Sequence, residues 1–338
     1  IPAGSMERVQ IAAVTSDKEL PSYTHAGPIP TSNYIVLIEP PLPNDFSYDW
    51  EQYQNSFDPN GEVTVYVLDK NDESGDVIAK YTADSTFWMW HVANAWEDCD
   101  TGEILVDFTL DPTAGSFQSF YNSTTGNFED AKLARLTLPN PDTAGLEAVA
   151  TTTILDTAGM GIEFPVTQDQ YQFSGKTGHY WMAGSNLDNP PAFPLSMNNL
   201  LKFDVSTGEA THFWEPDGLH MGEPYFIPRE KDQGPMNDDG AVVAVGINAT
   251  GHVFGAVLTA TDLTELAIFE IPMAPVQTFG LHNFFSTVST WVAPAADCTA
   301  APATNETMEP EDPSSGFAMF GTFAAVSSVL ITAFTASF

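Results

Sequence analysis

From Asn33 to about Trp291 the chain is written in short runs whose apolar and polar residues tend to alternate. Clear examples are Tyr34–Ile38, Val63–Leu68, Phe87–His91, Ile104–Leu110, Leu133–Leu138, Leu200–Val205, Ala241–Ile247 and His252–Thr259. A period of two is that of a β-strand, whose successive side chains point to opposite faces. Between the runs stand Asp58-Pro-Asn-Gly, Asn71-Asp-Glu-Ser-Gly, Ser206-Thr-Gly and Asn248-Ala-Thr-Gly, the residues of tight reversals. No stretch before Phe317 keeps a helical period. The pattern predicts an all-β chain closed as a barrel, sandwich or propeller. From Leu200 to Pro272 successive up-and-down strands of about eight residues fit propeller blades, although no strict Trp-Asp or kelch repeat sets a blade count.

Composition narrows the partners. The chain has 338 residues, enough for one large β domain, with 45 acidic against 10 basic side chains and a net charge of −35. Such a chain repels a nucleic-acid duplex and an anionic membrane surface, so no nucleic-acid partner is expected. The acidic residues are scattered, as on a solvated surface. The two cysteines, Cys99 and Cys298, form no Cys-x-x-Cys pair, which argues against a structural zinc or iron–sulfur site and leaves their own pairing open. Sequons at Asn122, Asn248 and Asn305 are no more than chance supplies. The N-terminus has neither a basic nor an apolar leader segment and so does not read as a signal peptide. At the other end Phe317–Phe338 carries no charge and is long enough to span a bilayer as a helix at about 1.5 Å per residue. It follows a polar, Pro-rich linker, residues 296–316, with small residues around Ala303–Thr307. The segment therefore reads as a GPI-attachment signal or a tail anchor that makes the protein membrane-associated. A buried C-terminal element is the alternative.

The candidate chemistry lies in the histidines and in two glutamates. His91 stands late in the aromatic run Phe87-Trp-Met-Trp-His91, and the Asn94-Ala-Trp-Glu97 that follows is expected to turn. Of seven histidines, three share this setting of an apolar strand broken by His near a turn: His25, His91 and His282. His179, His212, His220 and His252 sit among Gly, Asp and Thr and read as solvated surface residues. Glu163, in Ile-Glu-Phe-Pro, and Glu223, in Gly-Glu-Pro-Tyr-Phe, are carboxylates in apolar settings, costly to bury unless paired. A carboxylate of this kind can receive the second N–H of a metal-bound imidazole. Taken singly, each His could equally donate to a backbone carbonyl and each Glu sit in water at a strand end.

Together the segments resemble the carotenoid cleavage oxygenase family, which includes the retinal-pigment isomerohydrolase and the stilbene-cleaving enzymes. The resemblance runs from about Tyr23 to Trp291 through Tyr23-Thr-His25, Thr31-Ser-Asn-Tyr-Ile-Val, Trp90-His91-Val-Ala-Asn-Ala-Trp-Glu97, Glu163-Phe-Pro, Trp214-Glu-Pro, Glu223-Pro-Tyr-Phe-Ile-Pro-Arg229, Asp238-Asp-Gly-Ala-Val-Val and Gly280-Leu-His282. It implies a seven-bladed β-propeller with Fe(II) on its axis, held by four histidines whose orienting glutamates lie one layer out. His25, His91 and His282 match the second, third and fourth of these histidines; Glu163 and Glu223 match two of the three glutamates. The first histidine and the remaining glutamate fall upstream of Ile1. Residues 1–295 are thus expected to be the C-terminal part of a propeller whose N-terminal blades are missing, poor in iron binding and prone to aggregation without an upstream extension. The implied reaction adds O₂ across a C=C bond of a carotenoid, apocarotenoid or stilbene-like substrate, held in an apolar tunnel, to give two carbonyl products. Four imidazoles on an octahedral ion leave two positions for that chemistry. The alternative is a catalytically silent, membrane-tethered propeller fragment that binds an apolar ligand or a protein partner.

Overall fold

The computed structural model describes residues 13–18, 27–43, 52, 55–72, 74–113, 131–169, 171–185, 197–230, 234–248 and 250–272. His25, His282 and residues 296–338, with the linker and the apolar segment, lie outside the described residues. Within them the chain is all-β: sixteen strands and one four-residue helix, α1 (Pro141–Ala144).

The strands follow one another as four antiparallel units of four. The first comprises β1 (Ile29–Pro30), β2 (Tyr34–Glu39), β3 (Thr64–Asp69) and β4 (Val77–Ala83). The second comprises β5 (Trp88–Glu97), β6 (Ile104–Asp111), β7 (Lys132–Leu138) and β8 (Ala148–Ile154). The third is β9 (Gly161–Val166), β10 (His179–Ser185), β11 (Asn199–Asp204) and β12 (Glu209–Trp214); the fourth is β13 (Leu219–Pro228), β14 (Gly240–Asn248), β15 (Val253–Thr259) and β16 (Glu265–Glu270). Neighbours in sequence pair in each unit, and β4 joins β8 in parallel over Tyr81–Ala83, so the first two units share one eight-stranded sheet. The strands read from the alternation of Tyr34–Ile38, Val63–Leu68, Ile104–Leu110, Leu133–Leu138, Leu200–Val205, Ala241–Ile247 and His252–Thr259 are all present within a residue of their expected ends.

Each unit buries a face against the next. Ile38, Val65, Val67 and Ala79 of the first pack on Met89, Ile104, Val106 and Phe108 of the second. Ala93, Trp96 and Leu133 meet Ile162, Tyr180, Met182 and Phe203 of the third. Phe164, Trp181, Ala183 and Leu200 meet Met221, Phe226, Val242 and Ala256 of the fourth, with the Trp181 and Phe226 rings stacked at 4.2 Å. Face-to-face sheets at this contact are how a β protein without helical layers hides apolar area. One buried polar cluster crosses the second and third units: Arg135 clamps Asp107 through two bonds of 2.7 and 2.8 Å, and the Tyr180 hydroxyl donates to the same carboxylate at 2.8 Å. The first strands of the units lie side by side, β1 against β5, β5 against β9 and β9 against β13. This is the order in which propeller blades bring their inner strands to an axis.

The expected turn after His91 is absent. β5 runs on to Glu97, and the reversal comes at Asp98–Gly102, where Asp98 accepts from the backbone of Asp100 and Thr101. Asn94 and Glu97 have other tasks. Asn94 is buried and holds the 171–175 segment through Phe173 N–H at 2.7 Å and the Gly175 carbonyl at 2.8 Å. Glu97 accepts from Thr31 and from the backbone and side chain of Asn33, each at 2.6 Å, tying β1–β2 to β5. Two histidines expected at the surface are also inside. His220 is 7% exposed because it lies in β13 opposite Ile247, and His179 is largely enclosed beside Lys202 and Asp238. His252 is exposed. Cys99 is disulfide-bonded.

Candidate metal centre

His91, Glu163 and Glu223 lie on three adjacent first strands, β5, β9 and β13, and each sits where the register slips. Met89 faces Leu110 and Val92 faces Phe108, so Trp90 and His91 together oppose Thr109. Glu163 faces Ala183 and Val166 faces Trp181, leaving Phe164 and Pro165 opposite Met182. Met221 faces Gly246 and Pro224 faces Ala244, leaving Gly222 and Glu223 opposite Val245. An extra residue bends a strand and redirects its side chains. At the second slip Phe164 takes φ +55°, a left-handed conformation that bulky residues rarely adopt without tertiary support. The sequence pattern shows none of these slips, because one inserted residue leaves the local alternation nearly intact. The signal was the Pro two residues after Glu163 and one after Glu223, since Pro in a sheet is confined to edges and bulges.

The slips bring His91 and Glu163 together. Glu163, 1% exposed, places Oε2 2.6 Å from His91 Nδ1. The same oxygen accepts from the Phe164 N–H at 3.0 Å, and Oε1 accepts from the Thr109 hydroxyl at 2.8 Å. The Phe164 ring lies 5.1 Å from the imidazole, centroid to centroid. An ionised carboxylate only accepts, so this contact puts the neutral ring's proton on Nδ1 and its lone pair on the buried Nε2. Burial alone would lower the pKa of His91. The Glu163 charge, its hydrogen bond and the charge of Glu223 outweigh burial and raise it. Glu223 also acts on Asp169. Burial raises that carboxyl, Glu223 raises it further, and the Tyr225 hydroxyl that donates to it opposes both. Glu223 thus stands electrostatically beside the His91–Glu163 pair.

Among the described residues no three His, Cys, Asp or Glu side chains converge as a complete metal-holding group. His25 and His282, the other two expected ligands, lie outside the described residues. What the described residues offer does fit a metal-bound imidazole: a buried ring nitrogen on a strand, with the opposite nitrogen held by a buried carboxylate. A cavity of about 450 Å³ lined by Lys18, Glu39, Tyr66, Lys80 and Val149 includes none of these residues.

The family model described as retinal pigment epithelial membrane protein matches residues 4–287. The chain belongs to this family, that of the carotenoid cleavage oxygenases. It is 25% identical to the mitochondrial carotenoid-cleaving dioxygenase of Mustela putorius furo over 334 residues, covering 83% of this chain and 58% of that protein. It is 25% identical to the chloroplastic carotenoid cleavage dioxygenase 7 of Oryza sativa subsp. japonica, covering 68% of this chain and 41% of the other. In fold it is similar to the lignostilbene dioxygenase of Pseudomonas brassicacearum, with TM-score 0.55, 22% identity and coverage of 72% and 52% of the two chains. It is similar too to the cobalt-substituted Synechocystis ACO, with TM-score 0.56, 18% identity and coverage of 73% and 50%. The chain thus spans about half the length of the relatives it matches. No helix among the described residues is long and apolar enough to cross a membrane.

Proposed function

We propose that the chain contributes the His91, Glu163 and Glu223 part of a non-haem Fe(II) centre in an alkene-cleaving dioxygenase. His25 and His282 would be further ligands on the axis of a seven-bladed propeller. The observation that carries the reading is the clamp on His91: a buried carboxylate with three donors, 2.6 Å from Nδ1, on a strand bent at that point. Family membership supports the same chemistry. When bound, Fe(II) supplies the redox chemistry that O₂ needs to react with a closed-shell alkene. The protein's own residues do the rest. Glu163 holds the Nδ1 proton of His91 and keeps Nε2 a donor; Glu223 adds negative charge beside that imidazole and lowers the cost of a cation there.

The reaction is RCH=CHR′ + O₂ → RCHO + R′CHO. The C=C bond is broken, each carbon takes one oxygen, and no external reductant is required. The substrate class is a carotenoid, apocarotenoid or stilbene. Residues 1–295 would belong to the propeller, 296–316 to a linker and 317–338 to a membrane tether, a reading supported by the uncharged length of Phe317–Phe338. Incubating the iron-loaded protein with a C₄₀ polyene or a hydroxystilbene under ¹⁸O₂ tests the function. Two carbonyl products, each carrying one label, are expected. Tight binding of the same compounds without turnover would instead favour a silent ligand-binding propeller.

A further inference from the structure

We propose that Thr109 is a positioning residue of this centre: its single hydroxyl couples the main chain of His91 to the carboxylate of Glu163 and so sets the tautomer and aim of the imidazole. The proposal rests on the reading of His91 as a metal ligand, but its first test does not. Thr109 lies in β6, 1% exposed, and stands alone opposite Trp90 and His91 where β5 has its extra residue. At that slip the Thr109 hydroxyl oxygen accepts from the His91 N–H, at 3.1 Å. A hydroxyl has one proton to give. The His91 carbonyl is 3.4 Å away and Glu163 Oε1 2.8 Å away, so the proton goes to the carboxylate.

Two consequences follow. The hydroxyl's acceptor side holds the main chain of His91 at the bulge, and its donor side holds Glu163 at the oxygen not used for the imidazole. With Oε1 tethered and Oε2 receiving the Phe164 N–H, rotation of the carboxyl group is blocked, and Oε2 stays in line with Nδ1. The Thr109 methyl supplies no part of this link. Serine therefore retains the link; valine, of nearly the same shape, abolishes it at both ends.

The test compares Thr109→Val, Thr109→Ala and Thr109→Ser with wild type. The first readout is taken on metal-free protein. The side-chain ¹⁵N resonances of His91, assigned by their loss in His91→Gln, report which ring nitrogen carries the proton. At a pH high enough that the imidazole is neutral, wild type and Thr109→Ser should show Nδ1–H alone; Thr109→Val and Thr109→Ala should show a mixture of tautomers. Val and Ala spectra identical to wild type overturn the proposal whatever the metal does. The second readout is Co(II) affinity by calorimetry. Serine should keep it within about 3-fold of wild type and valine should lower it roughly 10–100-fold, the usual effect of removing an outer partner of a metal ligand. Equal affinity in Val and Ser, with equal thermal stability of the apo-proteins, also overturns it. If Thr109→Val does not fold, Thr109→Ala against Thr109→Ser reads the same difference. Absence of Co(II) binding in every form of the full-length protein, with the tautomer shift present, refutes the metal reading and leaves the Thr109 link supported.

Discussion

Substituting Glu163 by Gln keeps the shape of the side chain and removes its charge. The carboxylate now accepts three hydrogen bonds at 2.6, 3.0 and 2.8 Å in a place almost sealed from water. The amide can meet those donors in two ways. With its oxygen at the Oε2 position it still accepts from His91 Nδ1–H and Phe164 N–H, but the NH₂ then faces Thr109, whose proton must turn toward the more distant His91 carbonyl. With NH₂ at Oε2 it opposes two donors and drives the imidazole proton to Nε2, where it blocks ligation. The first arrangement prevails. Its cost is the change of two or three charge-assisted bonds, roughly 1.5–3 kcal/mol each, into neutral ones of about 0.5–1.5 kcal/mol. Part of that loss is common to the apo- and metal-bound states. The remainder, about 1.4–2.7 kcal/mol, is a 10–100-fold loss of metal affinity. Anaerobic titration with Fe(II), followed by calorimetry, gives the number, and urea unfolding of the apo-protein gives the shared part. An affinity and an unfolding midpoint both equal to wild type would refute the argument that this carboxylate orients His91.

Three further outcomes are expected. Tyr180→Phe removes a donor from the buried Asp107–Arg135 pair between the second and third units and should cost about 1.5–3 kcal/mol in chemical denaturation; Arg135→Met, which strands the carboxylate, should cost about 3–5 kcal/mol. Gly246→Ala should destabilise by roughly 1–3 kcal/mol, because a Cβ there would lie 2.5 Å from the His220 carbonyl oxygen and 2.7 Å from the Met221 sulfur, forcing β13 from β14 beside Glu223. His179 and His220 are held below the ordinary pKa, His179 by burial and the Lys202 ammonium against the pull of Asp238 and Asp204, His220 by burial alone. The unfolded chain therefore binds protons first, so their contribution is intact above a pH of about 6.5 and is lost as the pH falls below it. His220→Gln should flatten the dependence of the unfolding midpoint on pH between about 6.5 and 5; an unchanged slope would contradict the burial argument.

The strands were legible because each has one face against a neighbouring unit, which imposes alternation or continuous burial on its residues. The site was legible only as chemistry. His91 and Glu163 stood out as a polar residue in an aromatic run and a carboxylate before Phe-Pro, yet nothing in their separation of 72 positions predicts a contact. That contact sits between two register slips, one in β5 and one in β9, each a single residue. The misread turn at Asn94–Glu97 and the misplaced His220 have one cause. Asn, Glu and His are turn or surface residues by propensity, and here tertiary partners in Thr31, Asn33 and Phe173, or a strand interior, outweigh that preference. Thr109 carries no sequence signal, since a Thr in a strand is ordinary.

The central claim is that His91 binds iron through a nitrogen aimed by Glu163. X-ray absorption at the iron edge of the Fe(II)-loaded protein, compared with His91→Ala, tests it most directly. The account predicts imidazole scattering with nitrogen near 2 Å in wild type and a loss of one imidazole, or of the iron itself, in the variant. Iron surrounded by oxygen ligands alone, or spectra of equal amplitude from wild type and His91→Ala, would contradict it.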